Sequence, residues 1–215
     1  MTSRRCRLPL PPTGGHAPVT PPAPLLLAGP DEPLRLGGLL GDFVRGAPDP
    51  ALPPRVAQGI RLHRAIDAYT DSHPEVVAAR ARFAPPYRRY AGIALDVWFD
   101  HCLARDFARW SAQPLAAFSG DALGLLWRQD AQLPPALRRF RAYMQAHDLP
   151  AGYARREEIG KALEGIAGRL QRDNPLDRML PLLAALDAPL QAHFDAFFPQ
   201  LQAFAQEWMG EYVEG

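Results

Sequence analysis

Prolines punctuate this chain, and their positions constrain its fold more than any other feature. Pro53-Pro54, Pro85-Pro86 and Pro134-Pro135 each stand just before a stretch with apolar residues at helical spacing. Proline suits the first turn of an α-helix, because the backbone N–H that it lacks would have no partner there. Strand-like alternation never extends beyond a few residues in this sequence. The pattern therefore predicts an all-α, single-domain helical bundle.

Six helices can be bounded from local sequence. A capping box, formed by Ser72 and by Glu75 three residues later, predicts the start of the second helix, with Pro74 in the first turn of that helix. The last helix carries apolar and aromatic residues at every third or fourth position, which is typical of a face that packs on the core. The predicted spans are 54–70, 72–82, 86–110, 135–146, one that begins near 175, and one over about 190–208.

Composition and charge argue against several functions. Of the 215 residues, 47% are hydrophobic, which is enough for one core. The 24 basic and 23 acidic residues leave a formal charge of +1, so no global field favours nucleic acid or an anionic membrane. No apolar run approaches the ~20 residues that span a bilayer. Cys6 and Cys102 belong to no disulfide framework or CxxC motif, and we expect a cytoplasmic location.

Residues 1–24 differ from the rest of the chain. They hold seven of the 24 prolines and show neither helical nor strand periodicity. Such a segment cannot bury enough apolar surface to offset the entropy that ordering costs. We therefore expect a disordered Pro/Arg-rich head, followed by one helical domain over residues 25–215.

Ionisable side chains concentrate in three segments within residues 41–101. The first is Gly41-Asp42-Phe43-Val44-Arg45-Gly46, which follows an apolar run. Asp42 is expected to be nearly buried, and a buried carboxylate must be paired, hydrogen-bonded or bound to a metal. On this segment alone, a salt bridge from Asp42 to Arg45 or a helix cap is the preferred interpretation.

The second segment runs from His63 to Pro74. His63 and Asp67 are four residues apart on a predicted helix, so both emerge from one face, where imidazole and carboxylate can bind Mn, Fe or Zn. Asp71 extends the same face by one turn. Structural roles stay open for each residue: Asp71 can cap the next helix, His73 can be a polar residue in its first turn, and His63 can be an ordinary helical histidine.

The third segment contains Asp96, Asp100 and His101 among apolar residues. Asp96 and Asp100 are four residues apart, which places carboxylates where a buried stripe is otherwise expected. Neighbouring side chains diverge by about 100° on a helix, so either Asp100 or His101 can bind a metal while the other faces a second metal or the substrate. The alternative is that only one of them faces inward and the other is solvated.

The blocks GDFVRG, GIRLHRAIDAYTDSHPEV and GIALDVWFDHCLAR together resemble the signature blocks of the acyl carrier protein phosphodiesterase family, in the same order and separation. The resemblance extends from about Leu25 to the C-terminal FFPQL stretch. It implies a fold similar to that of HD-domain phosphohydrolases and a divalent metal cofactor, with Mn²⁺ as the implied ion. The implied metal ligands are Asp42, His63, Asp67, Asp100 and His101, and the implied catalytic residues near them are Arg45, Arg64, Asp71 and His73.

The resemblance implies hydrolysis of the phosphodiester that joins 4′-phosphopantetheine to a serine of holo-acyl carrier protein, giving the apo carrier. The ion would activate the attacking water. Arg45 and Arg64 are the candidates for binding the phosphate oxygens, although either can instead be a structural partner of Asp42 or Asp67. His73, or whichever of Asp100 and His101 is not a ligand, is a candidate proton donor to the leaving oxygen. The acidic carrier calls for a basic surface nearby, which four arginines can supply unless they form an ordinary solvated face: Arg80, Arg82, Arg88 and Arg89.

Two other functions stay open: an HD-type phosphohydrolase of a nucleotide or small phosphoester, and a non-catalytic helical protein that binds acyl carrier protein. One departure from the family pattern favours the non-catalytic binding protein. Members usually begin with an MNxLAH-like segment that leads into Leu25-Leu26-Leu27-Ala28, and here Pro24 stands where the histidine is expected. The chain has 23 arginines and only Lys161 as lysine, which is a mark of GC-rich coding DNA. The head is therefore hypothesised to come from a shifted reading frame or a misassigned start.

Overall fold

A computed structural model describes residues 22–211, and every regular element in this range is helical. The all-α prediction is therefore confirmed for these residues. The α-helices are α1 (Pro22–Leu27), α2 (Glu32–Leu40), α3 (Pro54–Ser72), α4 (Pro74–Ala81), α5 (Ala91–Arg105), α6 (Leu115–Arg128), α7 (Pro135–His147), α8 (Arg156–Ala167), α9 (Leu180–Ala185) and α10 (Asp187–Glu211). Short 3₁₀ turns lie at Gly41–Phe43, Tyr87–Tyr90, Phe107–Arg109, Asp130–Gln132, Ala151–Ala154 and Leu176–Arg178.

Helices α2 and α3 cross with backbone packed against backbone. A Cβ atom added at Gly37 would lie 2.2 Å from the Val56 carbonyl oxygen, and one added at Gly59 would lie 2.2 Å from the Leu34 carbonyl oxygen. Both distances are far below van der Waals contact, so only glycine allows this approach. The two glycines thereby fix the end of α2 against the helix that carries His63.

We expect the Gly59→Ala variant to lower the free energy of unfolding by about 2 kcal/mol, because the new methyl group must push two helix backbones apart. Gly165→Ala is a matched control, since it lies inside α8 and a Cβ there meets nothing within 4 Å. That substitution should instead stabilise the protein by about 0.5–1 kcal/mol through helix propensity. Urea unfolding of both variants measures the difference, and equal effects would contradict the close crossing.

The core surrounds α5 on nearly all sides and includes the aromatic face of α10. Trp98 and Cys102 of α5 are completely buried. Phe194 and Phe198 of α10 stack with ring centroids 5.0 Å apart, and Phe194 also meets Phe99 of α5 at 5.5 Å. The prediction that the aromatic stripe faces the core is confirmed. The carboxylates of α5 are consequently embedded in an apolar environment.

Proline positions predict where helices start, but the capping residues differ. Helix α4 is capped by His73, whose Nδ1 accepts the backbone N–H of Glu75 at 3.2 Å. The predicted capping box at Ser72 is therefore wrong. Ser72 is the last residue of α3, and its hydroxyl donates to the carbonyl oxygen of Ala68 at 2.9 Å.

Two predicted helices are broken into shorter elements. The span over 86–110 is a 3₁₀ turn, then α5, then a second 3₁₀ turn. Asn174-Pro175 opens a 3₁₀ turn rather than an α-helix, and the Asn174 side-chain oxygen accepts the Leu176 N–H at 3.3 Å. The predicted spans leave out four helices, namely α1, α2, α6 and α8.

The N-terminal prediction falls largely outside the described residues. Residues 1–21 lie beyond the described range, whereas residues 22–24 form the first turn of α1, with Pro22 and Pro24 buried. The helical part therefore starts ahead of Leu25, the boundary expected from the sequence. Within residues 22–211, no helix is long and apolar enough to cross a membrane.

Candidate functional site

A pocket of about 150 Å³ lies between α1, α3, α5 and α10. Its polar lining comes from the turn after α2, from α3 and from α5, and consists of Asp42, His63, Asp67, Thr70, Asp71, Asp96 and Asp100. Its remaining lining is apolar and includes Ile66, Ile93, Phe99, Leu103, Phe194, Phe197, Phe198 and Leu201. Charges beside an apolar wall interact more strongly than charges in water, because the local dielectric is lower.

His63 lies at the centre of the polar side. Its side chain is 2% exposed, and its Nε2 lies 3.4 Å from Asp42 Oδ1 and 3.3 Å from Asp67 Oδ2. The ring fits there because position 41 is glycine: a Cβ added at Gly41 would lie 2.3 Å from His63 Cγ. The expected pairing of His63 with Asp67 on one helical face is confirmed, and Asp42 joins it from the preceding turn.

The two carboxylates hold a proton on His63. Burial alone would lower the pKa of this imidazole, but hydrogen bonding to Asp42 and Asp67 and their negative charges outweigh burial and raise the pKa to about 10. The pKa in the unfolded chain is near 6.5. Protonation of His63 therefore stabilises the folded state fully below pH 6.5, and this contribution is lost as the pH rises through about 10.

We therefore expect the free energy of unfolding of the metal-free protein to fall as the pH rises from 6.5 to about 10. Urea unfolding at several pH values measures this slope. His63→Gln provides the control, because glutamine does not titrate and should flatten the profile in this window. An unchanged slope in His63→Gln would assign the pH dependence to another group.

Asp100 projects into the pocket from the buried helix α5. Its side chain is 3% exposed, and its Oδ2 has no hydrogen-bond partner among the described residues. Burial raises the pKa of this carboxyl well above its usual value, and the negative charges of Asp96 and Asp42 add to the effect. An unpartnered buried carboxyl is costly, and it is stabilised either by a proton or by a bound cation.

His101 lies away from this pocket. Its Nδ1 is 2.7 Å from the carbonyl oxygen of Tyr153, and its ring packs against Trp98 with centroids 4.9 Å apart. Residues 100 and 101 diverge by about 100° around α5, so only Asp100 reaches the pocket. Asp42, His63, Asp67 and Asp100 therefore line one pocket, whereas His101, the fifth metal-ligand candidate, is not part of its lining.

Three of the four predicted catalytic residues lie outside the pocket lining. His73 is buried, caps α4 and packs its ring against Phe197 at 4.9 Å. Arg64 Nη2 donates to the Val44 carbonyl oxygen at 2.7 Å, and Arg45 is exposed on the same loop. Asp71 does line the pocket, and it forms an ion pair with Arg80 at 2.5 Å.

Other pocket residues were not predicted as site residues. The sequence marks Asp96 only by its spacing from Asp100, and it predicts only a core role for the aromatic face of α10. Ala23 and Pro24 of α1 also line the pocket. The structure therefore puts position 24, where the resemblance leads us to expect histidine, directly at the candidate site.

The polar side chains of the pocket are of the types that bind a divalent metal, but they are not arranged around one. One imidazole and several carboxylates are ligands that Mn²⁺ accepts, and the unpartnered Asp100 Oδ2 offers a free donor. Across residues 22–211, however, no three His, Cys, Asp or Glu side chains are placed as they stand to hold a metal ion. Binding would require these side chains to move together and to release the proton of His63.

Comparisons with known proteins identify the family. The family described as acyl carrier protein phosphodiesterase matches residues 23–201. Proteins with that name from Salmonella agona and from Escherichia coli O139:H28 are 39% and 37% identical over 171 residues, which cover 79% of this chain and 88% of each relative. No solved structure was found to match. The chain belongs to the acyl carrier protein phosphodiesterase family.

Proposed function

We propose that this protein hydrolyses the phosphodiester between 4′-phosphopantetheine and the serine of holo-acyl carrier protein, releasing phosphopantetheine and the apo carrier. One observation carries the proposal: Asp42, His63, Asp67 and Asp100 meet in a single pocket inside the region that matches the family. Water supplies a hydroxyl group to phosphorus and a proton to the seryl oxygen, so the reaction needs no further reactant.

We also propose that the reaction depends on a divalent metal, with Mn²⁺ as the expected ion, and that the fold is HD-like. Asp42, His63, Asp67 and Asp100 would hold the ion, which when bound lowers the pKa of water and neutralises phosphoryl oxygens. Arg64 holds the Val44 carbonyl and so orients the loop between Asp42 and Arg45. Arg45, exposed on that loop, is the proposed phosphate-binding side chain.

An acidic carrier would approach over arginines near the pocket. Arg80 forms an ion pair with Asp71 at the pocket, and Arg82 Nε donates to His193 Nε2 at 2.8 Å. These two arginines therefore already have partners within the protein. Arg88 and Arg89 are exposed in the turn just before α5. The proposed docking surface therefore rests mainly on Arg88 and Arg89.

Incubation of the purified protein with holo-acyl carrier protein, with Mn²⁺ or with a chelator, tests the proposal. Mass spectrometry should show apo carrier and free phosphopantetheine only when the metal is present. Turnover of small phosphoesters without turnover of the carrier would indicate the HD-type phosphohydrolase instead. Turnover that persists in chelator would overturn the metal dependence alone.

A second candidate function is binding of acyl carrier protein without hydrolysis. Pro24 favours it, because proline lines the pocket at a position where it can supply no ligand. A stable complex with the holo carrier, no bound metal and no product at any Mn²⁺ concentration would identify this function.

A further inference from the structure

A second cavity, of about 550 Å³, lies on another side of α1. Helix α1 contributes Ala23 and Pro24 to the first pocket and Leu25 and Leu26 to this one. Phe118 of α6 adds an aromatic ring to the apolar part of the lining. The volume lies in the range typical of small-molecule sites.

The unusual group in this cavity is Arg35 of α2. Arg35 is 8% exposed, and its Nε and Nη2 atoms are buried without a hydrogen-bond partner among the described residues. Its guanidinium lies over Phe118, with Cζ 5.1 Å from the ring centroid. Burial lowers the pKa of Arg35, but arginine stays protonated in proteins. A permanent charge is therefore buried with two donors unused, which is costly unless a ligand accepts them.

The unused donors form one edge of the guanidinium, the edge that pairs with carboxylates. Elsewhere in this protein the same edge is used: Arg55 Nε and Nη2 both donate to Asp31 Oδ2, at 3.1 and 2.5 Å. An edge with two parallel N–H groups matches the two oxygens of a planar carboxylate. Both donor atoms of Arg35 are buried, so its guanidinium, which lines the cavity, turns this edge toward a ligand there to complete such a pair.

Carboxylates of the protein near Arg35 are engaged by other residues. Glu32 forms an ion pair with Arg128, and Asp121 accepts a hydrogen bond from Gln113 Nε2 at 2.6 Å. The segment 1–21 contains no Asp or Glu, so it has no carboxylate side chain to offer. The matching anion is therefore expected from a bound molecule rather than from Glu32, Asp121 or the segment 1–21.

We propose that this cavity binds a small molecule that carries one carboxylate and a short apolar portion. The carboxylate pairs with Arg35, and the apolar portion lies against Leu25, Leu26 and Phe118. Glu32 and Asp121 also line the cavity, and their charges disfavour a dianion such as phosphate relative to a monocarboxylate. The site is separate from the phosphodiester pocket and does not depend on the proposed reaction.

The Nε–H resonance of Arg35 in ¹⁵N-labelled full-length protein reports binding directly. Titration with hexanoate should shift this proton downfield and saturate, whereas hexanamide and inorganic phosphate should leave it nearly unchanged. If the chemical shift of this proton already indicates a hydrogen bond in the protein without a probe, and no probe changes it, the chain itself occupies this edge of the guanidinium. That result would overturn the proposal. An equal response to hexanoate and hexanamide, or a stronger response to phosphate, would also overturn it.

Variants give an independent measurement by calorimetry. Arg35→Gln should weaken hexanoate binding at least about tenfold, because it removes a charge-assisted pair. Arg35→Lys should also weaken it, since lysine keeps the charge but lacks the planar edge. Arg138→Gln, an exposed arginine with no place in the cavity, is the control and should bind as wild type. Unchanged affinity in folded Arg35→Gln would refute the assignment, and the resonance titration decides the matter if that variant does not fold.

Discussion

The His63→Ala variant is expected to release 4′-phosphopantetheine at least about 100-fold more slowly than wild type, because even the loss of a residue that supports a metal ligand costs 10- to 100-fold. The physical reason is that His63 joins Asp42 and Asp67 at 3.3–3.4 Å and is the imidazole that lines the pocket in the described part of the chain. Asp100→Asn should have a similar effect, because it removes the carboxylate and keeps the size of the side chain. Single-turnover assays with holo carrier measure both.

Matched controls separate chemistry from folding. His147→Ala removes a histidine that pairs with Glu158 at 2.7 Å and is not part of the pocket lining, so its turnover should stay near wild type. Helical circular dichroism should be largely retained in all three variants, and most fully in Asp100→Asn, which leaves no cavity. Full activity in both His63→Ala and Asp100→Asn would exclude this pocket as the active site. A loss in His147→Ala of the same size would point to a general effect on folding.

The Pro24→His variant is expected to bind Mn²⁺ about tenfold more tightly, equivalent to about 1.4 kcal/mol, and to turn over faster. Position 24 already lines the pocket, and histidine adds a donor where proline has none. Replacing residues 1–24 with Met-Asn-Tyr-Leu-Ala-His, as the family resemblance suggests, should have at least the same effect. Calorimetry with Mn²⁺ and steady-state assays measure both quantities.

Pro24→Ala is the control for this prediction, because it removes the proline ring and adds no ligand. It should bind Mn²⁺ as the wild type does. If Pro24→His and Pro24→Ala bind metal and hydrolyse the holo carrier equally well, a histidine at this position has no role. The hypothesis of a shifted reading frame would then lose its functional support.

The sequence predicts the helices that follow prolines, because a proline at a helix start acts locally. It does not predict α2, whose stability comes from a tertiary contact: Gly37 and Gly59 let two backbones meet, and neither glycine signals this by itself. His73 shows the same limit. Its ring caps α4 because Tyr69 and Phe197 pack around it, a contact that spacing along the chain cannot reveal.

The candidate site is also only partly predictable, because local spacing sets some of its contacts and tertiary packing sets the others. The i, i+4 spacing of His63 and Asp67 sets a shared face, and the structure confirms it. Asp100 and His101 are both buried, since α5 is surrounded on nearly all sides, so no polarity pattern tells which of them faces the pocket. The unpaired edge of Arg35 likewise depends on Glu32 and Asp121 being held elsewhere, which only the packed structure reveals.

Hydrolysis of holo-acyl carrier protein in ¹⁸O-labelled water tests the central claim most directly, because it locates the broken bond. Attack of water at phosphorus places one ¹⁸O atom in the released phosphopantetheine and leaves the serine of the apo carrier unlabelled. The proposed reaction predicts this result, with the label appearing only in the presence of Mn²⁺ and only with intact His63. Label in the carrier serine, or no release of phosphopantetheine under any metal condition, would contradict it.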